Sequence, residues 1–168
     1  KLLIIYVVNE EGKKDKCFMP FLDGTLQGAD VIFGMIKFYL KKLGISVADK
    51  MLFVADGALW IWNRIKELRT SLGLKAEQFF EILDFYHATE HLGDIAKQVE
   101  GWSDAQRKQW VRKQKGYLLE GMISLVIKNI KKLCKKETNK VLETELEYFV
   151  RNQKRLNFKV ISNMNLPI

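Results

Sequence analysis

A mixed α/β fold that gives way to an all-helical stretch is what this sequence predicts, on three observations. Up to Gly101, short apolar runs bounded by turn residues alternate with segments of helical period. Past Gly101 only the helical period continues. Two of the early runs, Met51-Leu52-Phe53-Val54-Ala55 and Phe79-Phe80-Glu81-Ile82-Leu83, each end in an aspartate where a helical pattern opens. The carboxyl ends of buried strands are where open α/β sheets place their ligands.

The elements follow in order. Leu2 to Val8 reads as a strand, closed by the turn Asn9-Glu10-Glu11-Gly12-Lys13-Lys14. Residues 16–22 return as its hairpin partner until Asp23-Gly24-Thr25 stops them. From Ala29 to Leu43 the apolar positions Val31, Ile32, Met35, Ile36, Tyr39, Leu40 and Leu43 recur at helical spacing, with Gly44 as a C-cap. A strand over 51–55 leads to a helix over 58–72 stopped by Gly73, and a strand over 79–83 leads to a helix over 86–99. Such alternation implies parallel strands joined by crossovers, with the leading hairpin completing a mixed sheet flanked by helices. Ser103, with Gln106 three residues on, caps a helix over 104–115. From Leu119, the residues Met122, Ile123, Val126, Ile130 and Leu133 form one stripe, and Lys128, Lys131, Lys132 and Lys135 the opposite face. A last helix runs from about Thr138 to Asn157.

Composition narrows the function. The chain has 168 residues, 48% hydrophobic and 29% charged, which suits one globular domain with an appended subdomain. No apolar run approaches the roughly 18–20 residues that cross a bilayer. Cys17 and Cys134 are isolated, without CxxC or zinc spacing, so a reduced, cytoplasmic setting is expected. The chain opens on Lys1 directly into a strand and closes on Asn165-Leu166-Pro167-Ile168 without a finishing element, so an internal fragment of a longer protein is expected. The net charge is +8, and its excess lies between 103 and 140, where Asp104, Glu120 and Glu137 are the acids. That density suits a polyanion such as nucleic acid, and equally a solvated helix face.

The two aspartates carry the candidate chemistry. Gly57 and Ala58 permit a tight turn after Asp56, whose carboxylate suits either a helix N-cap or a Mg²⁺ ion, which takes one or two protein carboxylates. Trp60 and Trp62 cannot share a helix face, so one packs inward and the other meets the rest of the protein or a base. After Asp84 come His87 and His91, the only histidines, four apart on one helix face. That spacing fits metal ligation, or hydrogen bonding that orients a carboxylate. There is no GxSxG elbow, Walker A loop or GxGxxG, which leaves mainly metal-assisted chemistry among enzyme classes.

These motifs, Asp56-Gly57-Ala58-Leu59-Trp60-Ile61-Trp62 and Asp84-Phe85-Tyr86-His87-Ala88-Thr89-Glu90-His91-Leu92, resemble those of DDE-type transposases of bacterial insertion sequences related to the Mutator-like group. DGTLQGAD at 23–30 and the ending YFVRNQKRLNFKV…NLPI at 148–168 also look familial, so the resemblance spans nearly the whole chain. It implies an RNase H-like core, partial over residues 1–100, interrupted by a helical insertion over 101–145 and resumed over 146–168. It implies Asp56 as the second acid of the triad and a ligand of Mg²⁺ (or Mn²⁺), in two-metal phosphoryl transfer with the ions about 3.5–4 Å apart. Asp84, His87 and His91 would support that active site. Arg107, Lys108, Arg112, Lys113, Lys128, Lys131, Lys132 and Lys135 would hold DNA, at transposon ends and target, through its phosphates. The first and third acids of the family pattern have no counterpart here, so the fragment alone is expected to be inactive. The full-length parent would be a homo-oligomer in the cytoplasm, associated with the nucleoid and not with a membrane. The alternative is a non-catalytic nucleic-acid-binding remnant of the same fold.

Overall fold

The computed structural model describes residues 1–135 and 139–167. Lys136, Glu137, the expected helix start at Thr138, and Ile168 lie outside the described residues. The described chain is mixed α/β, mostly helical with small sheets. It divides into two compact units, one of Lys1–Phe53, Ala58–Glu81 and Asn165–Pro167, the other of Val54–Gly57 and Ile82–Met164. The expected boundary at residue 100 falls within the second unit.

In the first unit, β1 (Leu2–Ile5) pairs antiparallel with β2 (Phe21–Gly24), Leu2 opposite Gly24 and Ile5 opposite Phe21. The expected hairpin forms, but its second strand starts five residues later than residue 16. Val8 still bridges to Lys14, so residues 15–20 form an excursion between bridge and ladder. Pro20 has no N–H to give a ladder, and regular pairing begins immediately after it. Beside the hairpin lies α1 (Ala29–Lys42), ending at Leu43 with the Gly44 N–H on the Lys41 carbonyl, as the sequence predicts. Phe21 stacks on Tyr39 at 4.6 Å, and the Tyr39 hydroxyl donates to Asp23 at 2.5 Å.

The strands β3 (Met51–Ala55) and β4 (Phe79–Leu83) match the expected bounds and pair as a second two-stranded sheet. One mixed sheet was expected; among the described residues the strands instead form two separate pairs. The strands of the hairpin are four residues long with Leu2, Ile4 and Leu22 exposed, so it buries one narrow face and adds no width to the other pair.

The expected helix over 58–72 is also two pieces, α2 (Leu59–Trp62) and α3 (Ile65–Ser71). Asn63 and Arg64 form the turn between them, and the Arg64 guanidinium pairs with Asp30 and lies over the Phe33 ring. Trp62 is buried with its ring edge-on to Phe53, while Trp60 stays partly exposed beside Phe33 with the Lys1 ammonium over it.

The second unit gathers α4 (Phe85–Lys97), α5 (Asp104–Leu119), α6 (Ile123–Cys134), α7 (Lys140–Asn152) and α8 (Phe158–Asn163). Its core includes Leu92, Ile95, Leu118, Val126, Ile130, Leu142, Phe149, Leu156 and Phe158, all essentially inaccessible. Ser103 and Gln106 form the expected reciprocal cap of α5, which runs a turn further than residue 115. It stops at Gly121, whose φ of 72° a side chain rarely adopts. The last helix ends at Asn152, short of residue 157: the buried Asn152 amide turns back to donate to the Tyr148 carbonyl at 3.0 Å. A short 3₁₀ turn over Gln153–Arg155 then leads into α8, a helix beyond the expected end at Asn157. No helix among the described residues is long and apolar enough to cross a membrane.

Candidate active site

The candidate site lies within the second unit, where the ends of β3 and β4 meet α4 and α7. Backbone pairing brings the two strand-end aspartates together: the Asp84 N–H donates to the carbonyl of Ala55, the residue before Asp56, at 2.8 Å. Their roles then diverge. Asp84 is the N-cap of α4, its Oδ1 accepting from the His87 N–H at 2.9 Å. Asp56 is exposed, two residues before Ala58, which holds the N-cap position of α2.

Gly57, buried beside Asp56, is the contact between strand end and helix. A Cβ there would stand 2.1 Å from Cε2 of Tyr148 and 2.9 Å from its Cζ, so the ring occupies the space of the absent side chain. On its other side the Tyr148 ring stacks on His91, centroids 3.7 Å apart and planes at 25°. His91 meets His87 edge to face at 4.8 Å. The His91 Nδ1 lies 2.7 Å from Oε2 of Glu145, both groups largely buried. An ionised carboxylate only accepts, so Nδ1 carries the proton and donates. The other histidine faces solvent, its Nδ1 at 3.3 Å from Glu90.

Tyr148 is 6% exposed, yet its hydroxyl has no hydrogen-bond partner. Leaving such a group unsatisfied costs roughly 1–3 kcal/mol. Burial pushes this hydroxyl well above the ordinary tyrosine range; the carboxylates of Asp56, Glu145 and Asp84 push the same way, against a partial offset from Arg151. The phenol thus stays protonated, a neutral group facing negative charge.

A Mg²⁺ or Mn²⁺ ion takes hard oxygen ligands and keeps several waters. Asp56, exposed at the end of β3, has the hard oxygen donors such an ion takes. No group of three or more His, Cys, Asp or Glu among the described residues could hold a metal by itself. His87 and His91 each place Nδ1 near a glutamate of its own.

Glu145 and Tyr148 were not picked out from the sequence. Glu145 carried a signal, because it falls on the same face as the buried Leu142 and Phe149, where a carboxylate needs a partner. Tyr148 carried none, since an aromatic at a buried helical position reads as core.

The expected DNA contacts divide between two sides of α5. Arg107, Lys108, Arg112 and Lys115, with Lys97, line an open groove of about 510 Å³ between α4 and α5. Arg107 also reaches Asp104 at 3.4 Å, and its Nε is buried without a partner. Lys113, Lys132 and Lys135 line a second groove of about 450 Å³ between α5 and α6, with Trp110, Gln114 and Asn129. Lys128 and Lys131 are exposed on α6 and line neither groove. Compared with family models, curated proteins and solved structures, the chain finds no match in any of the three.

Proposed function

We propose that this chain is part of the catalytic core of a DDE-type transposase with an RNase H-like fold, acting on DNA through phosphoryl transfer. One observation carries the reading: Asp56 stands exposed at the end of β3, beside a second strand end whose aspartate holds the start of α4. The sequence resemblance at both motifs supports the same assignment.

In this reading Asp56 holds a divalent metal, which when bound supplies Lewis-acid stabilisation to a reacting phosphodiester. Asp84 fixes the start of α4 against the Ala55 carbonyl, so that His91 is presented to Tyr148. Glu145 pins the His91 ring, and the Tyr148 ring packs against Gly57 and fixes the turn that carries Asp56. Arg107, Lys108, Arg112 and Lys115 on one side of α5, and Lys113, Lys132 and Lys135 on the other, neutralise phosphates of bound DNA. One carboxylate cannot hold two metals, so the chain by itself is expected not to cleave DNA. The resemblance further implies oligomeric assembly on DNA.

The test is Mg²⁺-dependent nicking of duplexes bearing element ends, using protein from the full open reading frame that contains this chain. Asp56→Ala is expected to lower the rate at least about a hundredfold, as loss of a key electrostatic group does. Cleavage that survives Asp56→Ala sinks the assignment. The second reading, a nucleic-acid-binding remnant, is favoured by the absence of a three-ligand group among the described residues. It requires salt-sensitive DNA binding with no Mg²⁺-dependent cleavage by that same full-length protein.

A further inference from the structure

We propose that the groove between α5 and α6 is a pocket for a single unpaired nucleobase, whose flanking phosphates are held by Lys113, Lys132 and Lys135. The pocket rests on the reading that this chain engages nucleic acid, and it is independent of the metal assigned to Asp56.

Helical spacing builds the groove from both sides. Trp110, Lys113 and Gln114 stand at i, i+3 and i+4 on α5, and Asn129, Lys132 and Leu133 repeat that spacing on α6. The two faces meet after the turn at Gly121, where the Asn129 Nδ2 donates to Oε1 of Gln114 at 3.0 Å. The groove of about 450 Å³ lies within the roughly 300–1,000 Å³ of small-molecule sites. Trp110 is half-buried, and its ring leans on that of Trp102 with centroids 6.0 Å apart, which limits its freedom to turn.

The lining selects the ligand. An indole face accepts the flat face of any base. Gln114 is 1% exposed yet borders the groove. Whichever way the Gln114 and Asn129 amides are turned, their mutual hydrogen bond leaves one NH₂ and one carbonyl oxygen over. Neither amide bonds any other described residue. A neighbouring donor and acceptor of this kind match the edge of a base. Three lysines border the groove and no Asp or Glu among the described residues does, so its field is positive and suits phosphates. An acidic peptide would satisfy the lysines but leave the indole face and the amide pair unused. A tryptophan kept only for packing is the competing account, and it gives no discrimination between a strand with bases and one without.

The experiment uses the whole 168-residue chain. Fluorescence anisotropy measures binding of two labelled probes of equal length and charge, a short oligothymidylate and the same strand with abasic sites in place of its thymidines. The native chain is expected to prefer the strand with bases by at least about fivefold, the lower end of what one base stacked on an aromatic side chain contributes. Trp110→Leu is expected to lose that preference while keeping its affinity for the abasic strand, Trp110→Phe to retain most of it, and Lys132→Gln to weaken both probes alike. A second readout needs no variant: oligothymidylate, and not the abasic strand, is expected to protect Trp110 from oxidation by N-bromosuccinimide, followed by peptide mass spectrometry. Equal native affinity for the two probes, a preference that survives in Trp110→Leu, or an unprotected Trp110 overturns the base pocket and leaves phosphate binding by the lysines standing. Native binding to neither probe overturns both the pocket and the nucleic-acid reading. Displacement of the probe by a polyglutamate peptide at a lower concentration than by unlabelled oligothymidylate overturns the pocket in favour of an acidic protein partner.

Discussion

Gly57 decides at the smallest scale what can stand beside Asp56. Its lack of a side chain suits the tight turn after Asp56, and in the structure it also makes room for the Tyr148 ring. Gly57→Ala forces a methyl group into that ring, and overpacking of this kind costs about 1–3 kcal/mol. Calorimetry is expected to show a lower thermal midpoint, with part of the loss recovered when Gly57→Ala is combined with Tyr148→Ala, which removes the ring. A Gly57→Ala protein as stable as the native one would mean that the ring does not fill this space. The two cysteines differ for a similar local reason. Burial pushes the Cys134 thiol above its ordinary range, and its Sγ–H lies 3.6 Å from the Leu142 carbonyl. Since the thiolate is the reacting species, Cys134 stays mostly protonated near neutral pH and reacts slowly, whereas Cys17 is exposed. Iodoacetamide followed by peptide mass spectrometry is expected to modify Cys17 first, and the Cys134 rate should rise as pH increases through the alkaline range.

At the scale of elements, the ends that local chemistry marks were read well. Ser103 with Gln106, Gly44 after α1 and the apolar runs of β3 and β4 all stand where the sequence places them. Two ends differ from the periodic pattern. The break between α2 and α3 coincides with the reach of Arg64 to the distant Asp30 and Phe33, and the stop of α7 with the buried Asn152 amide folding back on the Tyr148 carbonyl of its own helix. Neither leaves a periodic trace in its own segment. Asp84 is the element-scale residue of the site, because its side chain opens α4. Asp84→Ala is expected to lower stability by about 1 kcal/mol, whereas Asp84→Asn, an equally good N-cap, stays within a few tenths. Denaturant unfolding of both variants checks this; equal losses would point to the charge rather than the cap.

For the molecule as a whole, the net charge of +8 is concentrated on α5 and α6, and the structure sorts it into two grooves and an exposed α6 face. If DNA engages the α4–α5 groove, changing Arg112 and Lys115 together to Gln should weaken duplex binding and make the log–log salt slope shallower by about 2, one for each lost phosphate contact. Fluorescence anisotropy at several salt concentrations measures that slope, and an unchanged slope would place the DNA elsewhere. By itself the sequence determined the mixed α/β class, most element ends, and the two strand-terminal aspartates, because caps, turns and hydrophobic period act within a few residues. Only the tertiary structure decided which aspartate serves a helix and which stands exposed. It alone joined His91 to Glu145, 54 residues away, and laid Tyr148 on Gly57. Those contacts depend on which helix packs against which strand end, a relation that no local spacing records.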